Sequence, residues 1–288
     1  MVKIQKKFLA MFTNLLREIY YFFYDILTIL RNLRTDKNFI VILPRLFSLF
    51  LKKVFIFDKL NKKLFVQYIR NKFDILTVFE IYAEENYSLK KYEISKKIMT
   101  NFEINSRKNL KPLIIDCGSN IGSSTEYFYR IFKNSKVIGV EPNLQSLNFS
   151  KNNIISDEHL MINKAISCEN KKVYLDNTLK DNRSSKISEN KGDIVDTITV
   201  NELINYYGKE CHPFLIKIDI EGYEKDLFLK DYSWIDKFEI IIIEIHDWMY
   251  PNSANSYSFF SAMLNVMSQK NKRDMIISGE NLISIKNN

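Results

Sequence analysis

The amino-acid sequence predicts an α/β fold: a doubly wound, mostly parallel sheet that ends in an antiparallel hairpin and follows an α-helical N-terminal segment. Beyond Pro112, apolar runs of strand length alternate with helical stretches, as in parallel strands joined by crossover helices. Every glycine lies at or after Gly118, so the residues before it are expected to be mostly helical. Two apolar runs flank Gly279 within residues 273–286, which predicts the hairpin.

The chain is expected to divide into a basic amphipathic leader, residues 1–60, and a larger domain, residues 61–288. The leader carries 11 Lys and Arg against 4 Asp and Glu, most of the net charge of +8. From Phe8, apolar residues recur every three or four positions, as on one face of a helix. Its longest uncharged run between positions 8 and 25 is nine residues, too few to span a membrane. Such a helix can lie on an anionic membrane surface, or it can contact its own domain or a partner.

The composition narrows the class of protein. With 46% apolar residues the chain can build a core, and neither disorder nor a fibrous repeat fits. The three cysteines have no paired spacing, so neither a disulfide framework nor a zinc site is expected and a reducing cytoplasm is the expected location. The three histidines have no metal-ligand spacing either. No bound metal is therefore predicted.

Five parallel strands are predicted in the larger domain. They are residues 113–117, 137–141, 160–165, 214–219 and 239–246. Helical stretches separate them, and the polar run 181–193 resembles a flexible insertion.

The first predicted strand runs into a turn that contains two of the seven glycines, Gly118 and Gly122. In doubly wound sheets, ligands bind beyond the carboxyl ends of the strands. Glycine accepts a positive φ and lets a ligand approach the backbone. A cofactor site is therefore predicted at this turn.

Two classes of cofactor compete for the turn. A dinucleotide site would have glycines at positions 118, 120 and 123, so that a pyrophosphate rests on the helix N-terminus. The chain has Asn120 and Ser123 there instead. Asp116 at the strand end would repel a pyrophosphate, whereas it suits the cationic amino group of S-adenosylmethionine. The pattern favours the sulfonium cofactor.

Glu141 ends the second predicted strand, 25 residues after Asp116. A carboxylate at this place can accept hydrogen bonds from both ribose hydroxyls of a nucleoside cofactor. Asn143 is a candidate cap for the next helix, and it is also a predicted cofactor-binding residue. Simple helix capping is the alternative role of Glu141.

Ionisable side chains lie at the ends of the fourth and fifth strands. Lys217 and Asp219 share one face of the fourth strand because side chains alternate with a period of two, and Glu244 and His246 do so on the fifth. If the two strands are neighbours, these groups converge beside the cofactor turn. Burial and mutual charge would then shift their pKa values, as at sites of acid and base chemistry.

An alcohol acceptor must lose a proton when it is methylated, so a base within hydrogen-bond reach helps. His246 is the first candidate, Asp219 and Glu221 follow, and Lys217 completes the catalytic set. Two structural alternatives stay open: a buried ion pair between Lys217 and Glu244, and a hydrogen bond that only fixes His246.

Six segments resemble, in order, the motifs of the FkbM-like S-adenosylmethionine-dependent methyltransferases. They are LIIDCGSNIGSST, VIGVEPN, INKAIS, DTITVNELI, FLIKIDIEGYE and IIIEIH. The resemblance covers about residues 64–286 and implies a class I methyltransferase (Rossmann-like) fold. It also implies O-methylation of a hydroxyl, commonly on a sugar of a bacterial surface glycan or on a secondary metabolite.

The resemblance also implies roles for individual residues. It places the cofactor at Asp116, Gly118, Asn120, Gly122 and Glu141, with Ala165 near the adenine, Asp219 facing the reacting centre and Tyr87 over the cofactor. Cys117 and Ser119 stand where valine or alanine is usual in the family. Ser119, within the turn, is included among the cofactor-binding residues.

Two other functions stay open from the sequence: an NAD-dependent oxidoreductase on the same sheet, and a catalytically silent, membrane-associated scaffold. The segment 219–222 lacks the N/D-P-P-Y/F pattern of base methylation, and no basic stripe alternates with aromatics, so no nucleic-acid partner is expected. The expected partners are a small-molecule or glycan acceptor and, through residues 1–50, an anionic membrane or a biosynthetic partner. The expected location is the cytoplasm, including the inner membrane face.

Overall fold

A computed structural model of the chain describes residues 2–106, 110–176, 186–188, 191–250 and 252–287. The chain forms two compact units, Met1–Glu85 and Asn86–Asn288. In the described part of the chain, no helix has the length and apolar character that crossing a membrane requires.

The first unit combines helices with a small antiparallel sheet. Its elements are α1 (Val2–Arg34), β1 (Phe39–Val41), α2 (Arg45–Leu51), β2 (Lys53–Asp58), β3 (Lys63–Tyr68), α3 (Lys72–Phe79) and a π-helical turn (Glu80–Glu84). The strands pair in the order β1-β2-β3. The helix predicted from Phe8 onward is confirmed by α1.

The expectation of a mostly helical segment before Gly118 misses this sheet. Strands β2 and β3 form a hairpin that spans position 60. Side chains of β2 alternate between buried and half-buried, the pattern of a strand with one face on a core. The turn needs no glycine because Lys62 adopts a left-handed backbone with a φ of 52°. The lack of glycine before Gly118 therefore did not mean that this part of the chain lacks turns.

The second unit carries the large sheet. Its helices are α4 (Ile94–Ser106), α5 (Ser123–Ile131), α6 (Leu144–Ser150), α7 (Val200–Tyr206), α8 (Glu224–Leu227) and α9 (Asn255–Gln269), with 3-10 turns at Gly208–Glu210 and Tyr232–Lys237. Its strands are β4 (Lys111–Cys117), β5 (Lys136–Val140), β6 (His159–Ile162), β7 (Ala165–Ile166), β8 (Lys172–Asp176), β9 (Lys186–Ser188), β10 (Asp193–Ile198), β11 (Cys211–Ile218), β12 (Ile240–Glu244), β13 (Arg273–Ser278) and β14 (Asn281–Lys286).

Among the described residues, seven strands form one sheet in the order β13-β14-β12-β11-β4-β5-β6. The five from β12 to β6 are parallel, and the hairpin of β13 and β14 adds two antiparallel strands at one edge. This arrangement confirms the predicted doubly wound sheet with a C-terminal hairpin. The five predicted parallel strands all exist, with ends shifted by a few residues.

A second sheet lies outside these predictions. Strands β7, β10, β8 and β9 pair in that order. Of the polar run 181–193, residues 186–188 form β9, residues 191–192 lead into β10, and residue 193 begins β10. The rest of that predicted insertion lies outside the described residues.

The topology brings the predicted site together because β5, β4, β11 and β12 are consecutive neighbours in the sheet. Their carboxyl ends lie at one edge of the sheet, which is where ligands bind in folds of this type. Their central residues are buried under α-helices, including Ile115, Ile138, Ile216 and Ile241, each 0% exposed. A rigid apolar core therefore supports the polar edge.

Candidate active site

The turn after β4 is held by backbone hydrogen bonds to the neighbouring strand. The N–H groups of Gly118 and Ser119 both donate to the carbonyl oxygen of Val140, at 2.9 and 3.1 Å. Gly118 has a φ of 80°, and a Cβ atom on it would lie 1.8 Å from the carbonyl oxygen of Asp219. Glycine is required here because two backbone segments meet, rather than because a ligand must approach.

Gly122 is also required by local packing. Its φ is 81°, and a Cβ atom on it would lie 3.0 Å from side-chain atoms of Ile154 and Ser150. It precedes α5, and between the two glycines Asn120 also takes a positive φ, of 45°. Left-handed residues at alternate positions turn the chain sharply from strand to helix.

Asp116 lies beneath the turn and is fully buried. Its Oδ2 accepts hydrogen bonds from the hydroxyls of Ser124, at 2.6 Å, and Thr125, at 2.7 Å. Its Oδ1 lies 3.2 Å from Nζ of Lys217. The carboxylate thus anchors the start of α5 to the sheet.

Lys217 is the cation at the centre of this edge. It is 2% exposed, donates to the carbonyl oxygen of Gly118 at 2.9 Å, and pairs with Asp219 at 3.3 Å as well as with Asp116. Burial lowers the pKa of Lys217, but Asp116 and Asp219 raise it more, and the net pKa lies well above the ordinary value. Lys217 therefore stays charged and does not serve as a base at neutral pH.

Glu141 connects the end of β5 to the turn. Its Oε2 accepts from the backbone N–H of Asn120 and its Oε1 from that of Asn143, both at 2.8 Å. Asn143 in turn caps α6, accepting from the N–H groups of Gln145 and Ser146. A carboxylate oxygen can accept more than one hydrogen bond. The predicted binding of ribose hydroxyls is chemically compatible with these contacts.

Tyr87 and Ala165 lie in different surroundings. The half-buried ring of Tyr87 lies 6.1 Å from that of Tyr127 and 5.4 Å from that of Phe128. Burial raises the pKa of Tyr87, and the charges of the Lys217 and Asp116 groups also act on it, so the ring lies near the polar edge. Ala165 is buried in β7, where it pairs with Thr197 of β10.

Ser119, within the turn, carries a buried hydroxyl group. Its side chain is 2% exposed, and within the described residues its Oγ has no hydrogen-bond partner. Buried hydroxyls usually have a partner. A ligand at the turn is one group that would provide it.

His246 follows β12 and is 2% exposed. Its Nδ1 lies 2.8 Å from Oε1 of Glu224, a buried residue at the start of α8. Its Nε2 faces three carboxylates, with Glu244 at 3.5 Å, Asp219 at 3.7 Å and Glu221 at 3.8 Å. We call these five residues the acidic cluster. The predicted convergence of residues from the fourth and fifth strands is thus observed.

Crowding in the acidic cluster shifts its pKa values. Burial lowers the pKa of His246, but Glu224 and the other carboxylates raise it to about 9. Burial, followed by the charge of Asp219, raises the pKa of Glu221 to about 7 and that of Glu244 to about 8. In this arrangement His246 is mostly protonated at neutral pH, whereas the two glutamates exchange protons near neutrality.

The loop after β11 is shaped by two left-handed residues, Glu221 with a φ of 56° and Gly222 with a φ of 96°. A Cβ atom on Gly222 would lie 2.0 Å from the ring of Tyr250, whose hydroxyl donates to the carbonyl oxygen of Glu221 at 3.1 Å. A strained backbone of this kind is common at functional sites. Here it directs the carboxylate of Glu221 toward His246.

Sequence reasoning missed three residues of this edge: Ser124, Thr125 and Glu224. The first two could have been found, since hydroxyl residues at the start of a helix beside an acid-ended strand are natural donors to that acid. Glu224 carried no such signal, because its role depends on a loop that brings α8 back to the end of β12.

The model of the methyltransferase FkbM domain family matches residues 116–273, from the end of β4 to the start of β13. The chain belongs to this family. It is therefore an S-adenosylmethionine-dependent methyltransferase, as the sequence motifs predicted. Family membership decides between the two cofactor classes that the turn left open, in favour of the sulfonium cofactor over NAD.

Solved structures give further similarities. A putative caffeoyl-CoA O-methyltransferase from Staphylococcus aureus is 14% identical, covering 76% of this chain and 93% of that chain with a TM-score of 0.37. An O-methyltransferase from Bacillus cereus, in complex with SAH, is 10% identical, covering 74% and 90% with a TM-score of 0.37. Among curated proteins, none matches this chain.

Proposed function

We propose that this methyltransferase methylates a hydroxyl oxygen, and that the acceptor is a sugar of a bacterial surface glycan or a secondary metabolite. The observation that carries the proposal is the acidic cluster at the ends of β11 and β12. An alcohol is a weak acid, so its methylation requires a base to remove the hydroxyl proton. An amine or thiolate acceptor depends less on such a base. Three partly exposed carboxylates beside the cofactor turn supply that chemistry.

The cofactor-binding residues fit a cationic adenosyl group. Two backbone N–H groups hold the carboxylate of Glu141 in place beside the turn, and a carboxylate oxygen can accept more than one hydrogen bond. Asp219 is 26% exposed and presents a carboxylate to a cation at this edge, and within the described residues the Oγ of Ser119 has no hydrogen-bond partner. When bound, S-adenosylmethionine supplies the electrophilic methyl group. The protein contributes alignment, which by itself provides a large share of the acceleration in such reactions.

The proton of the acceptor hydroxyl passes to the acidic cluster in this proposal. A base works best when its pKa lies near the working pH. The pKa of about 9 makes His246 a weaker candidate than the sequence suggested, whereas Glu221 and Glu244 have pKa values of about 7 and about 8. His246 and Lys217 then stabilise the charge on these carboxylates.

Two measurements test the proposal. Calorimetry with S-adenosylhomocysteine should show one site, and NAD should not compete for it. A labelled methyl group should then be transferred to hydroxyl acceptors in glycan and metabolite extracts of the source cell. The product should be an ether that is stable to acid and base. Transfer only to amines, or to none of these pools despite cofactor binding, would contradict the O-methyl proposal.

We also propose that the first unit docks on the anionic cytoplasmic face of a membrane. An apolar stripe on α1, spaced by three and four residues, is at least half exposed: Leu16, Tyr20, Phe23, Leu27 and Leu30. Arg17, Arg31 and Arg34 flank it in the sequence and are also exposed. A helix of this kind inserts its apolar face at the headgroup boundary while its basic residues attract anionic lipids.

Of the two acidic residues in α1, Glu18 is exposed, whereas Asp25 is buried and does not oppose docking. Asp25 is 2% exposed and pairs with Arg45 of α2, at 2.7 Å from Nη2 and 2.8 Å from the backbone N–H. Arg45 also lies over the rings of Tyr21 and Phe79. The charge of Asp25 is thus neutralised inside the first unit, and the exposed stripe stays apolar.

Vesicle sedimentation tests the docking. Full-length protein should bind vesicles of anionic phospholipid, more weakly as salt rises, and the Phe23→Ser, Leu27→Ser double variant should lose most of that binding. Leu264→Ser, at an exposed apolar position of α9, is the matched control and should bind as wild type does. Equal binding of wild type and double variant would refute the proposal, and so would capture of a protein partner by the stripe without vesicle binding.

A further inference from the structure

Three residues of the acidic cluster bring potential metal-ligand atoms close to one another. Asp219, Glu221 and His246 each offer one such atom, and these atoms lie within 4.8 Å of one another. Ligands that each stand about 2.1 Å from a metal ion are about 3.0 to 3.5 Å apart. The carboxylates are 26% and 22% exposed, so small side-chain rotations suffice to close that difference.

His246 provides an independent observation. Its ring is 2% exposed, and within the described residues Nε2 has no hydrogen bond, the nearest carboxylate oxygen being 3.5 Å away. Its Nδ1 is held at 2.8 Å by the buried carboxylate of Glu224. A metal ion at Nε2 would displace the proton that the ring carries there at neutral pH. Nδ1–H would still donate to Glu224, which is the arrangement by which proteins orient metal-binding histidines.

The charges at this edge are unbalanced. Among the described residues, five carboxylates converge here, those of Asp116, Asp219, Glu221, Glu224 and Glu244, against the cations Lys217 and His246. Buried or partly buried charges are costly unless they are paired. A divalent cation would reduce this excess of negative charge without a new protein group.

We propose that Asp219, Glu221 and His246 bind a divalent transition-metal cation of the Mn²⁺ or Zn²⁺ type. One imidazole nitrogen with two carboxylate oxygens suits these ions better than Mg²⁺ or Ca²⁺, which prefer oxygen ligands alone. Three protein ligands leave coordination positions for water or an acceptor oxygen, as in catalytic sites. The sequence predicted no metal because the ligands come from the ends of different strands and have no local spacing.

The role of this cation rests on the proposed O-methyl transfer, although its binding does not. A metal-bound hydroxyl is a stronger acid than a free one, so the cation would hold the acceptor oxygen and favour loss of its proton to water or a neighbouring carboxylate. The oxygen then forms a bond to the methyl carbon as the bond from carbon to sulfur breaks. Glu244 lies outside the set of three donors and remains available.

Titration of the metal alone tests the site. Full-length protein is freed of metal with a chelator and titrated by calorimetry with Mn²⁺ or Zn²⁺, in the absence of any cofactor. One equivalent should bind with micromolar affinity, and Mg²⁺ should bind more weakly. His246→Ala and Glu221→Gln should each weaken binding by at least about tenfold, and Glu224→Gln by about 10- to 100-fold, because it releases the orientation of the ring.

Glu210→Gln is the matched control, because it removes one exposed carboxylate away from the acidic cluster and should leave metal binding unchanged. Circular dichroism checks that each variant folds. If His246→Ala fails to fold, the Glu221→Gln variant decides the question, because Glu221 is partly exposed and its substitution disturbs the core less. No binding at millimolar metal, or equal binding in Glu221→Gln and wild type, would overturn the inference. Binding of S-adenosylhomocysteine, measured separately, reports on the proposed function, so the two ideas can fail independently.

Discussion

The turn predicted to bind the cofactor and the acidic cluster occupy the same edge of one sheet but differ in how their polar groups are satisfied. At the turn, both oxygens of Glu141 accept backbone N–H groups and Asp116 accepts two hydroxyls. In the acidic cluster, Nε2 of His246 has no hydrogen bond among the described residues and faces three carboxylates at 3.5 to 3.8 Å.

This difference agrees with the proposed division into a binding region and a reacting region. A site whose acceptors are already fixed by the backbone loses little freedom when a ligand binds, which favours affinity. A site with crowded and unbalanced charges has shifted pKa values and open coordination, which favours reactivity. Lys217 touches both regions, through Asp116 on one side and Asp219 on the other.

The largest expected effect comes from the residue that joins the two regions. Lys217→Met removes a buried cation and leaves Asp116 and Asp219 without their shared partner. The free energy of unfolding, measured by urea denaturation, should fall by about 3 to 5 kcal/mol because an uncompensated buried carboxylate remains.

A double variant sharpens that result. Adding Asp116→Asn to Lys217→Met removes the uncompensated charge, so the double variant should lose less stability than the sum of the two single variants. If the two losses simply add, the ion pair does not hold the two strands together.

Gly118→Ala should have the next largest effect, because it acts on the turn alone. The new Cβ would meet the carbonyl oxygen of Asp219 at 1.8 Å in a left-handed backbone. We expect the free energy of unfolding to fall by about 2 to 5 kcal/mol and binding of S-adenosylhomocysteine to be lost.

Gly279→Ala is its matched control. Gly279 also has a positive φ, of 62°, but a Cβ atom there meets nothing within 4 Å. Its substitution should therefore cost only the strain of the left-handed backbone, about 1 to 2 kcal/mol, and leave cofactor binding intact. Equal losses in the two variants would show that backbone strain, rather than the contact with Asp219, makes Gly118 necessary.

Glu141→Gln should have the smallest effect on stability and a clear effect on the cofactor. The amide keeps the shape of the side chain, but it presents N–H groups to a backbone donor and loses the charge. Because a hydrogen bond to a charged group contributes about 1.5 to 3 kcal/mol, calorimetry should show about 10- to 100-fold weaker binding of S-adenosylhomocysteine.

The control for this variant lies at the opposite edge of the same sheet. Glu158 pairs with Lys111 and Lys136 near the amino ends of β4 and β5. Glu158→Gln makes the same chemical change there and should leave cofactor affinity as in wild type. A loss of affinity in both variants would point to a general effect of charge rather than to a contact with the cofactor.

Several features of the fold and site were predictable because their signals are local. The alternation of apolar runs and helices predicted the five parallel strands, and paired apolar runs around Gly279 predicted the hairpin. The acids at strand ends identified the polar edge, since neighbouring parallel strands end on the same side of a sheet. The hairpin of β2 and β3 was not predicted, because Lys62 occupies the left-handed position where glycine is usual.

The sequence by itself determined the fold class, the family and the edge of the sheet at which the ionisable side chains meet, because periodicity and motif spacing are properties of the chain. Only the tertiary structure decided which charges meet. Strand register sets Lys217 opposite Asp116 on one side and Ile242 on the other, so Glu244, two residues further along, is not its partner. The contact of His246 with Glu224 likewise depends on the path of a loop, which no local pattern encodes.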